Sequence, residues 1–346
     1  MNLKCSNPKK LFYVGFKPNG KKITKFTGVG TDYYIKDGDS YIACRGDPST
    51  VDRSRYRVYT DYDTVPCGTC IACRLKQSME YAHRGVLESY YHDSAYFLTL
   101  TYNDDNLPFV EFVNDDGEYK EFNSLCMNDL QLFNKRLRKN STNDLTILSC
   151  GEYGGRTLRP HYHEIVWDLK LNDLKVYKTF KKNGIVHTYY VSPYLSKLWD
   201  KGFVIVANVS FETIAYVCRY NLKKTKNDLS ALYESTGCEQ EFRNFPKAPA
   251  LGKRYFDDYW QSIYTNDEII DKNFRFKTIP PPKYFDRLLE KKDISLYNKI
   301  KEERREKYYS DDFDSLDIHE LIQLDSHSSS IEKSLSDVVT NLKGGL

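Results

Sequence analysis

The 346-residue chain lacks any apolar run near the roughly 18 residues that cross a membrane, and its amino terminus, MNLKCSNPKK, lacks the apolar core of a secretory signal. The expectation is a soluble protein that works inside a cell. A surplus of either charge is also lacking: 51 Lys and Arg against 48 Asp and Glu leave +3, too little by itself to point to nucleic acid. The distribution is more informative. NKRLRK (134–139), KTFKK (178–182) and NLKKTK (221–226) are basic, whereas SDDFDSLDIHE (310–320) is acidic. An even cysteine count is missing too, and nine cysteines without a secretory signal argue against a disulfide framework. A phosphate loop is absent as well: Gly151, Gly154 and Gly155 lie in GEYGGRTLRP, but no Lys-Ser/Thr follows, so a hairpin-type loop is the better reading.

Three of the cysteines stand together in CGTCIACR. Cys67, Cys70 and Cys73 are each separated by two residues, a spacing at which thiolates grip one tetrahedral zinc at about 2.3 Å or part of an iron-sulfur cluster. Cys5 and Cys44 are the upstream candidates for a fourth ligand, with Cys5 taken as that ligand; Cys126, Cys150, Cys218 and Cys238 read as core.

A second cluster lies in RPHYHEIVW (159–167). Successive side chains on a strand point to opposite faces, so His161 and His163 share one face and two ring nitrogens converge as a metal site requires. Glu152, just beyond the strand DLTILSC, is the natural carboxylate to join them; Glu164 points away. In SFETIAYVCRYNLKK, Tyr216 and Tyr220 are one helical turn apart, with Lys223 and Lys224 on the same flank and Ile214, Val217, Cys218 and Leu222 supplying the buried side. Tyr-x-x-x-Tyr alone is more often packing than chemistry. Paired with a cation that polarises a phosphate oxygen, a tyrosine becomes a competent nucleophile, and Arg159 or a lysine can neutralise another phosphate oxygen.

Periodicity orders the rest. Residues 1–66 read as irregular β structure, followed by a helix over RLKQSMEYAHRGVLESYYH with Leu75, Met79, Ala82, Val86 and Leu87 as its stripe. AYFLTLTY (95–102) is a core strand, and LCMNDLQLFNKRLRK a helix buried through Leu125, Leu130, Leu132, Phe133 and Leu137. VSPYLSKLWDKG is a short helix capped by Ser192, FVIVANV (203–209) a strand, and Ser210 caps the tyrosine helix. KYFDRLLEKKDISLYNKIKEERREKYY is helical and charged. The fold class expected is α+β, a mostly antiparallel central sheet flanked by helices with a cysteine-rich N-terminal region. The divisions expected are 1–74 (β and cysteine site), 75–255 (central domain), 256–309 (helical) and 310–346 (an acidic, Ser-rich tail expected to be mobile).

RPHYH with the paired tyrosines of AYVCRYNLKK resembles an HUH endonuclease, the family that nicks single-stranded DNA to start rolling-circle replication. PCGTCIACRLKQS, FLTLTYNDDNLP, GEYGGRTLRPHYH, AYVCRYNLKK, APALGKRYF and IPPPKYF follow in the order seen in replication initiators of microviruses, small phages with circular single-stranded DNA. The resemblance runs from the cysteine cluster to about residue 287 and departs from the family at QSMEYAHR, where a Trp commonly precedes the alanine.

The resemblance implies that His161 and His163 bind Mg²⁺ or Mn²⁺, with Glu152 as third ligand inferred from spacing, and that Tyr216 and Tyr220 alternate as nucleophiles through a 5′-phosphotyrosine. It implies single-stranded and origin DNA as substrates, a host helicase and DNA polymerase as partners, and the cytoplasm of a bacterial host as the place of action. The competing reading is a non-catalytic, zinc-containing nucleic-acid binder, organised by CGTCIACR, with basic runs on phosphates and tyrosines on bases.

Overall fold

The computed structural model describes residues 5, 7–18, 22–27, 30–114, 116–154, 157–182, 185–219, 233–270 and 278–310. They fall into two compact units, Met1–Lys76 and Gln77–Leu346.

In the smaller unit the alternating stretches become short strands: β1 (Lys9–Phe16), β2 (Lys22–Thr27), β3 (Tyr33–Asp37), β4 (Ser40–Cys44), β5 (Arg57–Tyr59) and β6 (Tyr62–Val65). They form two antiparallel sheets, β2-β1-β6 and β4-β3-β5. The core is small, with Phe12, Val14 and Tyr34 at its centre. So few apolar side chains make a weakly stabilised unit, the kind that natural proteins reinforce with a disulfide or a metal. Its last residues enter helix α1 (Ile71–Ser89), which starts earlier than the apolar stripe predicted and takes in Cys73.

The larger unit is built on β7 (Ala95–Tyr102), a hairpin of β8 (Phe109–Val113) and β9 (Tyr119–Asn123), β10 (Thr146–Tyr153), β11 (Pro160–Trp167), β12 (Lys175–Lys182), β13 (Ile185–Val191), β14 (Gly202–Asn208) and β15 (Phe242–Asn244). Seven of these make one sheet in the order β12-β13-β14-β7-β11-β10-β15, every neighbouring pair antiparallel. This is the α+β architecture expected. The central strands β7 and β11 are apolar on both faces because helices cover both.

On one face, Phe97, Ile165 and Trp167 meet Ala82 of α1 and Ile214 and Val217 of α4 (Phe211–Arg219). On the other, Leu98, Tyr162 and Val166 meet Leu130 and Phe133 of α2 (Met127–Lys139) and Leu195 and Trp199 of α3 (Pro193–Trp199). Each large side chain sealed in these layers contributes roughly 1.5–3 kcal/mol. Ser192 caps α3 as predicted, its hydroxyl accepting from the Leu195 N–H at 3.1 Å with Pro193 opening the helix. Ser210 does the same for α4, accepting from Thr213 at 3.3 Å while the Thr213 hydroxyl accepts from the Ser210 N–H at 2.8 Å.

Two expectations are corrected. Helix α2 starts at Met127, not at Leu125, because the Leu125 and Cys126 N–H groups donate to the Tyr153 and Tyr162 hydroxyls at 3.0 and 2.8 Å. Leu132, predicted on its buried stripe, is exposed, and Leu130, Phe133 and Leu137 carry the contact. The long charged segment after Lys283 is two helices, Lys283–Lys292 and Ile294–Ser310, divided at Asp293, whose carboxylate accepts from the Leu296 N–H at 2.9 Å. With Lys253–Asn266 they enclose a third core around Phe256, Phe285 and Leu289. No helix among the described residues is long and apolar enough to cross a membrane. The acidic tail from 311 onward lies outside the described residues.

Candidate active site and metal centre

Antiparallel register, not chain proximity alone, assembles the first site. Glu152 stands opposite His161 in the β10–β11 ladder, and His163 stands opposite Thr99 of β7. Paired residues share a face, so Glu152, His161, His163 and Thr99 all point to the side covered by α4. There Tyr216 meets them: its hydroxyl donates to Glu152 Oε1 at 2.6 Å and lies 3.4 Å from His163 Nε2. His163 Nε2 is 2.9 Å from the same oxygen, and His161 Nε2 is 3.9 Å away. Tyr216 is 2 % exposed, Glu152 and His163 1 % each, while the His161 side chain keeps 22 %. The open edge of the site is therefore the His161 edge.

Burial pushes the Glu152 carboxyl up, but the charges of His163 and His161 and their hydrogen bonds, with that of Tyr216, overcome it and hold the group below its ordinary value. Its second oxygen, Oε2, is buried without a hydrogen-bond partner. A buried carboxylate with one free oxygen beside two imidazoles is a donor set suited to a divalent cation. The set is looser than a closed metal centre, the two imidazole centroids lying 5.9 Å apart.

The second cluster is tighter. Cys5, Cys67, Cys70 and Cys73 place their sulfurs within 4.8 Å of one another. The Cys67–Cys73 and Cys5–Cys70 sulfur distances are 4.0 and 3.8 Å. Four sulfurs at about 2.3 Å from a tetrahedral zinc stand about 3.8 Å apart, so the quartet can hold a metal such as zinc. The Thr69 hydroxyl, then the N–H groups of Thr69 and Cys70, hold the Cys67 thiol down to about 5, whereas burial pushes Cys73 up to about 12. Cys5 accepts from the Cys67 N–H at 3.2 Å. Cys44, the other upstream candidate, is not in the group.

A family model for the replication-associated protein ORF2 matches residues 95–225. The chain is 30 % identical over 267 residues to replication-associated protein ORF2 of Spiroplasma virus 4, covering 74 % of this chain and 78 % of the relative. It is 29 % identical over 217 residues to replication-associated protein VP4 of Bdellovibrio phage phiMH2K, covering 62 % and 64 %. Replication-associated protein ORF4 of Chlamydia phage 1 is 30 % identical over 253 residues, 70 % of this chain and 58 % of the relative. The chain belongs to the replication-associated protein ORF2 family.

No solved structure matches it. The segment matched by the ORF2 family model contains Glu152, His161, His163 and Tyr216 and excludes the cysteine quartet.

Of the residues predicted for the site, Tyr220, Lys223 and Lys224 lie outside the described residues. Arg159 is engaged: its guanidinium pairs with Asp104 at 2.8 Å and donates to the Tyr102 carbonyl at 3.1 Å. Tyr216 is on the site side of α4 as expected, but Ile214, Ala215, Val217 and Cys218 are buried around it, so the helix is enclosed on more than one side. Gly85 of α1 permits that enclosure, since a Cβ there would meet Ile214 Cγ2 at 2.6 Å.

Three residues of this ORF2-family site escaped the sequence reading. Thr99 Oγ1 lies 3.0 Å from His163 Nδ1, which orients the ring and frees Nε2 for the site. Phe97 stacks on the same imidazole, centroids 5.5 Å apart and planes within 6°. Gly154 backs His161, where a Cβ would sit 3.0 Å from the imidazole Cε1. The signal was the alternation of AYFLTLTY, which puts Phe97 and Thr99 on one face of β7; it had been read only as core.

Proposed function

We propose that the protein initiates rolling-circle replication as an HUH endonuclease, nicking and rejoining single-stranded origin DNA through a 5′-phosphotyrosine. The observation that carries this reading is the Tyr216 hydroxyl, 2.6 Å from a buried carboxylate that also holds His163. A phenol ordinarily keeps its proton to about pH 10, and a buried phenol hydrogen-bonded to a carboxylate has an acceptor in place for that proton. Membership of a family whose relatives are named replication-associated proteins of phages supports the role.

In this reading His161, His163 and Glu152 hold Mg²⁺ or Mn²⁺. A cation bound there supplies polarisation of a phosphate oxygen. The Tyr216 oxygen forms a bond to phosphorus as the bond from phosphorus to the 3′ oxygen breaks, the 5′ phosphate stays on the tyrosine, and the freed 3′ hydroxyl primes synthesis. The phenol proton passes to Glu152 Oε1, and the departing 3′ oxygen takes one from water. Tyr220 is the second nucleophile, cutting the regenerated origin so that a 3′ hydroxyl attacks the first adduct and closes the circle. Each transfer trades one phosphodiester for another, so joining requires no nucleotide triphosphate. Lys223, Lys224 and Arg159 serve the phosphate oxygens, Arg159 only after parting from Asp104. The cysteine quartet, loaded with zinc, stabilises the smaller unit. A host helicase and polymerase extend the primer in the bacterial cytoplasm.

The test is adduct formation. Protein incubated with Mn²⁺ or Mg²⁺ and labelled circular single-stranded DNA of its source genome should retain label after denaturation, and Tyr216→Phe/Tyr220→Phe should not. Intact binding without an adduct on any genome strand overturns the proposal in favour of the non-catalytic zinc-containing binder. That second reading is favoured by the cysteine quartet and leaves the Glu152–His163–Tyr216 geometry without a role.

A further inference from the structure

The charge of the chain is divided unevenly. Residues 1–76 hold 14 Lys and Arg against 7 Asp and no Glu, a net +7, so the other 270 residues carry 3 − 7 = −4. The smaller unit thus has the electrostatics of a polyanion-binding module, hidden in the near-neutral total. Within it Arg53, Ser54, Arg55, Tyr56, Arg57 and Val58 line an open cavity of about 320 Å³. Arg53, Arg55 and Arg57 are exposed, and among the described residues none of the three is ion-paired. Asp52, the neighbouring carboxylate in the chain, is turned instead to Ser54, accepting from its N–H at 2.9 Å and its hydroxyl at 2.6 Å. Arg57 stands across the ladder from Lys36, which continues the cationic row into β3.

Aromatic rings are interleaved with these cations. The Arg55 guanidinium lies 5.2 Å from the Tyr56 centroid and that of Arg57 5.5 Å from Tyr59. An arginine resting on a ring keeps its fork of donors in a fixed plane, and both planes can stack on a base. Unpaired bases offer a free face for stacking; paired bases in a duplex are already stacked on each other.

We propose that this cavity is a second DNA site of the protein, taking single-stranded DNA with Arg53, Arg55 and Arg57 on the phosphate oxygens and the tyrosine–arginine planes against bases. The proposal rests on the reading of the protein as one that acts on DNA, but not on Tyr216 or on any cleavage step. It gives the smaller unit a role that the His-Glu-Tyr site does not supply, retention of the strand between successive transfers.

The test uses the full chain without added Mg²⁺ or Mn²⁺. A fluorescent single strand of about 30 nucleotides is titrated across about 50–200 mM salt, and the slope of log K against log salt is read for each variant. Arg53→Gln/Arg55→Gln/Arg57→Gln should weaken binding and lower the slope by about 2, since each phosphate contact on a single strand contributes roughly 0.7. The corresponding triple Lys variant should keep most of the slope, and the same sequence as a duplex should be little affected. Unchanged affinity and slope in the Gln variant overturn the site. Equal losses in the Lys and Gln variants overturn the charge argument, and an equal loss on duplex overturns the single-strand assignment. Should the triple variant not fold, each single Arg→Gln should lower the slope by about 0.7. Adducts forming normally with the slope unchanged sink this site alone; a lowered slope with no adduct on any strand sinks the nicking reading alone.

Discussion

The His-Glu-Tyr cluster and the cysteine quartet are built in opposite ways. The first is assembled by the sheet: ladder pairs set Glu152 opposite His161 and His163 opposite Thr99, and a helix under several layers of apolar contact brings Tyr216 within 2.6 Å. Its geometry exists before any ligand arrives. The second gathers four thiols from the chain's start and a turn of CGTC, in a unit whose core centres on three buried side chains, Phe12, Val14 and Tyr34. Its sulfurs are at zinc-binding separations, and the free energy of holding them there has to come from the ion. One site should therefore survive loss of its cation as a structure, and the other should not.

The largest expected effect follows from that contrast. Removing zinc with a strong chelator, or Cys70→Ser, should cost the smaller unit its fold, since structural zinc in small domains contributes on the order of 10 kcal/mol. Metal analysis should give one zinc per chain, and near-native circular dichroism and protease resistance in the stripped protein would break the comparison. At the other site, withdrawing Mg²⁺ or Mn²⁺ should leave the melting temperature within about 2 °C while abolishing adduct formation. Next in size, Thr99→Val should lower adduct formation about 10–100-fold by releasing the His163 ring, with the fold intact by circular dichroism. A variant as active as the wild type would remove Thr99 from the site. Smaller still, Gly154→Ala should cost several-fold in rate, because its methyl carbon would stand 3.0 Å from the His161 ring and push that imidazole from the open edge.

The smallest effect concerns the opposite face of the sheet. Burial pushes the Glu164 carboxyl up to about 7, against the Asn134 amide that donates to it at 2.8 Å. A carboxyl near 4.3 in the unfolded chain and near 7 in the folded one binds more protons when folded, so stability should fall as pH rises between those values. Glu164→Gln should flatten that slope in thermal melts from pH 5 to 8. An unchanged slope would contradict the burial argument.

Legibility in the sequence differed between the two regions for physical reasons. Strand β7, strand β11 and the cap of α3 carry local signals, an apolar alternation or run and a Ser-Pro start, and each was read at nearly its observed bounds. His161, His163 and Glu152 were placed together because one hairpin joins their strands. Thr99 and Phe97 were not, since a strand more than sixty residues away carries no mark of what it pairs with; only the register His163↔Thr99 brings them in. Helix α2 was read too long because Leu125 looks like a continuation of its stripe, whereas a tyrosine hydroxyl from β10 takes its N–H. The charge asymmetry between the two units was invisible until their boundary was known.

The most direct measurement is denaturing electrophoresis of the protein after incubation with labelled circular single-stranded genome and Mn²⁺. The account predicts a covalent protein–DNA band that persists in either Tyr216→Phe or Tyr220→Phe, disappears in the double variant, and requires His161 and His163. A band that persists in the double variant, or no band while the protein still binds the strand, would contradict it.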